Sequence, residues 1–110
     1  MHEISLSDPM IEEISRLFLV LSDPSRIRVI RCLLETPEPL SMGEVAKATG
    51  LAHANASKHL AQLVSVGLAI REPRGNAAYF SPVMPLVGRV CDLVCSHVLE
   101  RTRDAYHAVR

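Results

Sequence analysis

The segment from Leu40 to Leu68 restricts the fold of this chain more than any other. In its second half, apolar residues recur every three or four positions, at Ala56, Leu60, Leu63 and Val64. This spacing predicts a helix with one buried face. Gly50 and Gly67 follow the two predicted helices, at positions where a helix commonly ends in glycine. Two helices joined by a turn at Gly50-Leu51 predict a helix-turn-helix motif over residues 40–68.

The side chains between these apolar positions would form the outer face of the second helix. They are small or medium-sized and polar, namely His53, Asn55, Ser57, Lys58 and Gln62. A face of this kind offers donors and acceptors to base edges and a cation to phosphate, as a helix in the DNA major groove must. The alternative is an ordinary helical hairpin with a solvated face.

The period of the sequence changes after Gly67. Residues 68–72 and 77–81 predict two short strands, and Pro73-Arg74-Gly75-Asn76 predicts the turn between them. A β-hairpin directly after the second helix is the arrangement of a winged helix. Arg71, Arg74 and Asn76 are therefore candidates for contacts with phosphate or the minor groove, and a solvated turn with an incidental arginine is the alternative.

The first 39 residues predict a flexible tail over residues 1–7 and then two helices. Asp8-Pro9 and Asp23-Pro24 each combine an N-cap aspartate with a proline in the first turn, so a helix is expected to begin at each. The first helix carries an apolar stripe of Ile11, Ile14, Leu17, Phe18 and Leu21. The second, over residues 24–35, is expected to bury Ile27, Ile30, Leu33 and Leu34 and to expose Arg26, Arg28 and Arg31.

Two further signals mark the remaining helices. Ser41 followed by Glu44 has the spacing of a capping box, and Pro82 and Pro85 separate the hairpin from a last helix over residues 85–107. The apolar positions of that helix are Leu86, Val87, Val90, Leu93, Val94, Val98, Ala105 and Val109. Because a chain this short buries a limited core alone, we expect a homodimer formed through the first and last helices.

Together these signals predict one domain over residues 1–110, mainly α with a small β-hairpin. Four helices are followed by the hairpin and a fifth helix, with the helix-turn-helix at 40–68, the wing at 69–81 and the dimerisation helix at 85–107. The formal net charge is zero, but residues 40–80 carry four bases against Glu44 and Glu72. This small positive excess predicts modest non-specific DNA affinity, with specificity depending on contacts to bases.

Several classes of protein are not expected from the sequence. The chain opens without a basic segment followed by an apolar run, and no apolar stretch approaches a membrane span, so we expect a cytoplasmic protein without membrane contact. Three cysteines are an odd number, which argues against a disulfide framework. No nucleophile motif, phosphate-binding loop or carboxylate pair predicts catalysis, so an enzyme is not expected.

A set of motifs in a fixed order points to a family. Leu17-Phe18 followed by LSDPSRIRVI at residues 21–30 resembles the opening signature of the ArsR/SmtB metalloregulators. The likeness continues through LSMGEVA at 40–46, Gly50-Leu51, SKHL at 57–60, Gly67-Leu68 and Tyr79, and spans roughly residues 10–98. It implies a homodimeric winged-helix transcription factor that covers an imperfect inverted repeat in double-stranded DNA, usually as a repressor that an inducer releases.

The resemblance also implies roles for individual residues. Ser41 would open the helix that precedes the recognition helix. The positions at which family members contact bases and phosphates are occupied by His53, Ala54, Asn55, Ser57 and Lys58. His59 would be packed or would face the DNA.

Of two metal sensor sites known in this family, this chain lacks one and matches only half of the other. The thiolate site needs cysteine near residues 42–45, where this chain has none. A zinc site on the last helix is matched in one half only, by His97 and Glu100. These two residues nevertheless share a helical face with Asp104 and His107, which could bind Ni²⁺ or Zn²⁺ across a dimer. A solvated, salt-bridged face is the alternative.

The cysteines form a third candidate sensor. Cys91 and Cys95 are four residues apart on one helical face and could chelate a soft metal or As(III). Cys32 resembles a position in family members that pair one cysteine in the second helix with another in the last and respond to oxidants or reactive sulfur. Buried cysteine as a plain hydrophobic residue is the alternative.

A second class of function is compatible with the same residues. The protein would be a constitutive winged-helix DNA binder, or an activator, without a sensor site of its own. In that case its helices could dock a protein co-regulator that supplies the signal.

Overall fold

Within residues 5–109, five helices and three strands follow one another along the chain. The helices are α1 (Asp8–Leu21), α2 (Pro24–Leu34), α3 (Met42–Thr49), α4 (His53–Ser65) and α5 (Leu86–Val109). The strands are β1 (Leu40–Ser41), β2 (Ala69–Arg74) and β3 (Ala77–Pro82). The computed structural model describes the backbone of residues 5–109 and the side chains of residues 5–103, so residues 1–4 of the predicted tail lie outside the described residues.

The starts of the first two helices are set by side-chain caps. For α1 the predicted cap is wrong by one residue, because Ser7 Oγ accepts from the Met10 N–H at 3.4 Å and Asp8 is already helical. For α2 the predicted cap is confirmed, since Asp23 Oδ1 accepts from the N–H groups of Ser25 at 2.8 Å and Arg26 at 3.3 Å. Burial raises the pKa of Asp23, but these backbone hydrogen bonds and the nearby charge of Arg26 together lower it by more, so the pKa is lowered overall.

The helix-turn-helix forms where the sequence predicts it. Ser41 Oγ accepts from the Glu44 N–H at 3.2 Å, and the Glu44 carboxylate accepts from the Ser41 N–H at 2.9 Å. These hydrogen bonds complete the predicted capping box and lower the pKa of Glu44. Gly50 ends α3 with a φ of 76°, a left-handed conformation that an L side chain rarely adopts.

The sheet has one strand more than the sequence predicts. The strand order is β1-β3-β2, and β1 pairs with β3 through Leu40 with Phe80 and Ser41 with Tyr79. The hairpin turn is also tighter than the predicted four residues, because the pairing of β2 with β3 extends to Arg74 and Ala77. Gly75 opens the two-residue turn with a φ of 61°, which such tight hairpin turns require.

The core lies between α2, α3, α4, the sheet and the start of α5. Its fully buried large side chains are Val29, Val45, Leu60 and Leu63. The burial predicted for α2 is wrong at Ile27, which is 50% exposed. The buried face of α2 is centred on Val29, Ile30 and Leu33 instead, and this rotation turns Ile27 toward solvent and Arg26 toward the protein.

The first and last helices carry exposed apolar side chains. On α1 these include Ile11, Ile14 and Phe18, and on α5 they include Leu93, Val94, Val98 and Leu99. The start of α5 is anchored by Val87, which is buried against the core. None of the helices in residues 5–109 has the length and apolarity needed to cross a bilayer.

Candidate nucleic-acid interface

One face of α4 is buried and the other presents polar side chains to solvent. Ala56, His59, Leu60 and Leu63 point into the protein. The exposed face carries five of the predicted DNA-contacting residues, His53, Ala54, Asn55, Ser57 and Lys58. The helical period assigned four of these to the outside correctly, and Ala54, which only the resemblance implied, is exposed as well. Their side chains are free to meet base edges and phosphates.

Gln62 and His59 differ from the rest of this set. The side chain of Gln62, predicted to face DNA, is half-buried, and its Oε1 is buried without a hydrogen-bond partner among the described residues. His59, for which packing and DNA contact were both open, is buried. These two side chains lie on the side of α4 that faces the protein rather than on its outer face.

An open groove joins α4 to the start of α3 and to the wing. It has a volume of about 370 Å³, and four of the predicted site residues line it, namely Ser41, Ser57, Arg71 and Asn76. The Ser41 hydroxyl accepts from the Glu44 N–H in the capping box, which holds this side chain at the edge of the groove. The fold thus brings together residues that are up to 35 positions apart in the sequence.

The arginines of the wing are not equivalent. Arg74 lies over the Tyr79 ring at 4.7 Å from its centroid and pairs with the Glu72 carboxylate. Arg71 is exposed and has no ion-pair partner among the described residues. Because Glu72 offsets the charge of Arg74, the strongest cations of this surface are Arg71 and Lys58.

The sequence interpretation missed Arg26, which it placed on an exposed face. The Arg26 Nε donates to His59 Nδ1 at 3.3 Å, and Nη1 donates to the Val20 carbonyl at 3.0 Å. Asp23 lies one helical turn before it, with an Nη2–Oδ2 distance of 3.8 Å. The signal available in the sequence was this spacing of three between an N-cap aspartate and an arginine, which places the two side chains side by side.

The predicted sensor residues are spread along the chain. Cys32 is buried, Cys91 is half-buried and Cys95 is exposed. Burial is the main cause that raises the pKa of the Cys32 and Cys91 thiols, and the neighbouring Cys95 adds to it at Cys91. Both therefore carry less thiolate at neutral pH than an ordinary cysteine.

The predicted imidazole and carboxylate face can be described only in part. His97 and Glu100 are exposed on α5, whereas the side chains of Asp104 and His107 lie outside the described residues. Among the side chains that the structure describes, no three histidine, cysteine or acidic residues are grouped so as to hold a metal ion.

The chain is similar to known helix-turn-helix proteins in sequence and to solved structures in fold. Residues 21–72 match a protein-family model described as a helix-turn-helix domain. The structure of M. tuberculosis Rv0081 aligns with a TM-score of 0.79 and 26% identity, over 90% of this chain and 98% of that chain. No curated protein sequence matches significantly.

Two further solved structures carry functional names. One is Mb0332 from Mycobacterium bovis, which is described as a homodimeric winged helix-turn-helix DNA-binding domain and a possible ArsR-family regulator. It aligns with a TM-score of 0.79 and 23% identity, over 93% of this chain and 95% of that chain. The antimony-specific transcriptional repressor AntR aligns with a TM-score of 0.74 and 22% identity, over 94% of this chain and 92% of that chain. The predicted winged helix-turn-helix fold is therefore confirmed over nearly the whole chain.

Proposed function

We propose that this chain is a winged helix-turn-helix DNA-binding regulator of the ArsR type that binds an inverted-repeat operator as a homodimer and represses transcription. The observation that carries the proposal is the exposed polar face of α4 beside a groove shared with the wing. A helix of this kind enters the major groove while the wing reaches the flanking backbone or minor groove. The function proposed here is that of a DNA-binding regulator and not of an enzyme.

Dimerisation and repression are supported from two sides. The exposed apolar side chains of α1 and α5 are more numerous than a monomer ordinarily leaves to water. A two-fold dimer presents two α4 helices, and its symmetry is matched by an inverted repeat. Among the similar proteins, Mb0332 is homodimeric and AntR is a repressor.

We expect Asn55→Ala and Lys58→Ala to weaken DNA binding in different ways. Asn55 can pair with a base edge, so its loss should lower affinity for the preferred site about tenfold and leave random DNA almost unaffected. We assign Lys58 to a phosphate contact, so its loss should weaken binding to all sequences alike and reduce the salt slope by about one. The site is first selected from random duplex DNA with the wild type, and the Kd is then measured by fluorescence anisotropy at several salt concentrations.

Arg31→Ala is the matched control for charge, because Arg31 is exposed on α2 and pairs with Glu35 at 4.0 Å. It should leave the Kd within about twofold of the wild type. Full operator affinity in both the Asn55 and Lys58 variants would show that α4 does not face the groove. Failure of the wild type to select any sequence would overturn the proposed function.

The sensor that we propose is the cysteine pair of α5 rather than a metal centre. The described residues of one chain do not supply three ligands for Ni²⁺ or Zn²⁺, so no step is assigned to a bound metal. Cys91 and Cys95 lie one turn apart on α5, and the exposed Cys95 is accessible to an inducer. Two thiols at this spacing suit a trivalent arsenical, which forms two As–S bonds and releases two water molecules.

We expect arsenite to lower operator affinity at least about tenfold in the wild type and to have no effect on a Cys91→Ser/Cys95→Ser variant. Cys32→Ala is the matched control and should respond like the wild type, because Cys32 is buried in the core. The Kd is measured with and without arsenite, diamide, Ni²⁺ and Zn²⁺. A response to Ni²⁺ or Zn²⁺ that persists in the double variant would move the sensor to the face of His97 and Glu100, and a persisting response to diamide would move it to Cys32.

A second function follows if none of these agents changes the Kd. The protein would then bind DNA constitutively, as a repressor or an activator, or would take its signal from a protein co-regulator. The observation that favours this alternative is the burial of Cys32 and the partial burial of Cys91, which limit access to both thiols and raise their pKa.

A further inference from the structure

One guanidinium group, that of Arg26, connects three helices by hydrogen bonds on the inner side of α4. Arg26 belongs to α2, and its Nη1 donates to the carbonyls of Val20 at 3.0 Å and Leu19 at 3.5 Å near the end of α1. Its Nε donates to Nδ1 of His59 in α4 at 3.3 Å. Only 15% of the Arg26 side chain is exposed, so its contacts with Val20 and His59 are partly shielded from water.

The chemistry of the contact is specific to these two side chains. Among the described residues, His59 is the buried polar member of the core, with 8% exposure. Its Nδ1 has to be unprotonated in order to accept from Arg26. The planar fork of the guanidinium reaches the α1 carbonyls, Asp23 and His59 at the same time, which a single ammonium group cannot do.

The helices that Arg26 joins have different tasks in the function proposed above. The α1 helix contributes to the dimer interface, and α4 enters the DNA. In a two-fold dimer, the position of α4 relative to α1 sets the distance between the two recognition helices. That distance has to match half-sites about 34 Å apart, which is one turn of DNA.

We propose that Arg26 is a positioning residue for DNA recognition that acts through His59 and fixes the half-site spacing the dimer accepts. This inference rests on the proposed function. Without the contact, α4 is still packed against the core through Leu60 and Leu63, but it is no longer linked to the end of α1 by hydrogen bonds. The dimer then adapts to operators of different spacing and no longer prefers one strongly.

The test uses the operator selected by the wild type and derivatives with one or two base pairs added to or removed from its centre. The full-length variants are Arg26→Gln, His59→Leu and His59→Asn, with Arg31→Gln as the control for a lost positive charge. In His59→Asn the Oδ1 occupies the place of Nδ1 and can accept from Arg26. Circular dichroism gives the folded fraction of each variant, and Kd values are corrected for it.

The wild type and Arg31→Gln should prefer the native spacing by at least about tenfold, and Arg26→Gln and His59→Leu by about threefold or less. His59→Asn should restore the wild-type ratio. A purely structural role of Arg26 would lower affinity for all spacings alike and leave the ratio unchanged, which would overturn the inference alone. If Arg26→Gln does not fold, the ratios of His59→Leu and His59→Asn decide in the same way. A wild type that selects no DNA would overturn the proposed function as well.

Discussion

Replacement of Phe18 or Val98 by glutamate is expected to convert the protein to a monomer and to lower its operator affinity about 100-fold. Phe18 on α1 is 62% exposed and Val98 on α5 is 53% exposed in the single chain. A carboxylate placed in an apolar interface has no partner and opposes association strongly. The loss of DNA affinity follows because a dimer binds its second half-site intramolecularly, which contributes 10²- to 10⁴-fold.

Sedimentation equilibrium would give the oligomeric state, and fluorescence anisotropy the Kd for the full operator and for one half-site. Ala48→Glu is the matched control, since it adds the same charge at an exposed position near the end of α3, outside α1 and α5. Both interface variants should bind the half-site as the wild type does. If they remain dimeric and keep their operator affinity, the interface lies elsewhere on the chain.

The helices of this fold could be predicted because their signals are local. Asp23 and Ser41 cap helices through N–H groups two or three residues away, and such hydrogen bonds depend only on neighbouring sequence. Gly50 and Gly75 adopt positive φ in the turns predicted for them. The outer face of α4 followed from the helical period, which fixes which side chains share a side.

The features that the sequence could not predict depend on distant partners. The two residues of β1 are too short for any periodicity, and they form a strand only because Phe80 and Tyr79 lie beside them. Period alone also does not say which side of α2 is covered, so Ile27 and Arg26 were assigned to the wrong sides. The contact of Arg26 with His59 joins residues 33 positions apart, which no local pattern indicates.

The candidate site was predictable to the same extent. Asn55 and Lys58 were assigned by their place on α4, whereas the pairing of Arg74 with Glu72 and Tyr79 depends on the register of the hairpin. The sensor is the least predictable part. In an α5 helix that meets a partner chain, the ligands of one site can come from two chains, and their distances are set by the dimer rather than by spacing in the sequence.

Leu60→Ala is expected to lower the free energy of unfolding by about 3 kcal/mol, within the range of about 2–5 kcal/mol for a buried leucine. Leu60 is 0% exposed and packs α4 against the core. A domain of this size has a free energy of unfolding of about 5–15 kcal/mol, so the variant should be folded but only marginally stable. Since Leu60 is on the side of α4 away from DNA, operator affinity should fall only as far as the folded fraction does.

Urea denaturation followed by circular dichroism measures this loss, at one fixed protein concentration because the stability of a dimer depends on it. Leu6→Ala removes the same atoms from a side chain that is 54% exposed before α1, and it should cost less than about 0.5 kcal/mol. Equal losses of unfolding free energy in the two variants would mean that α4 does not pack against the core through Leu60. A Kd that worsens in fully folded Leu60→Ala would instead show that apolar packing, as well as the Arg26 contact, sets the orientation of α4 toward DNA.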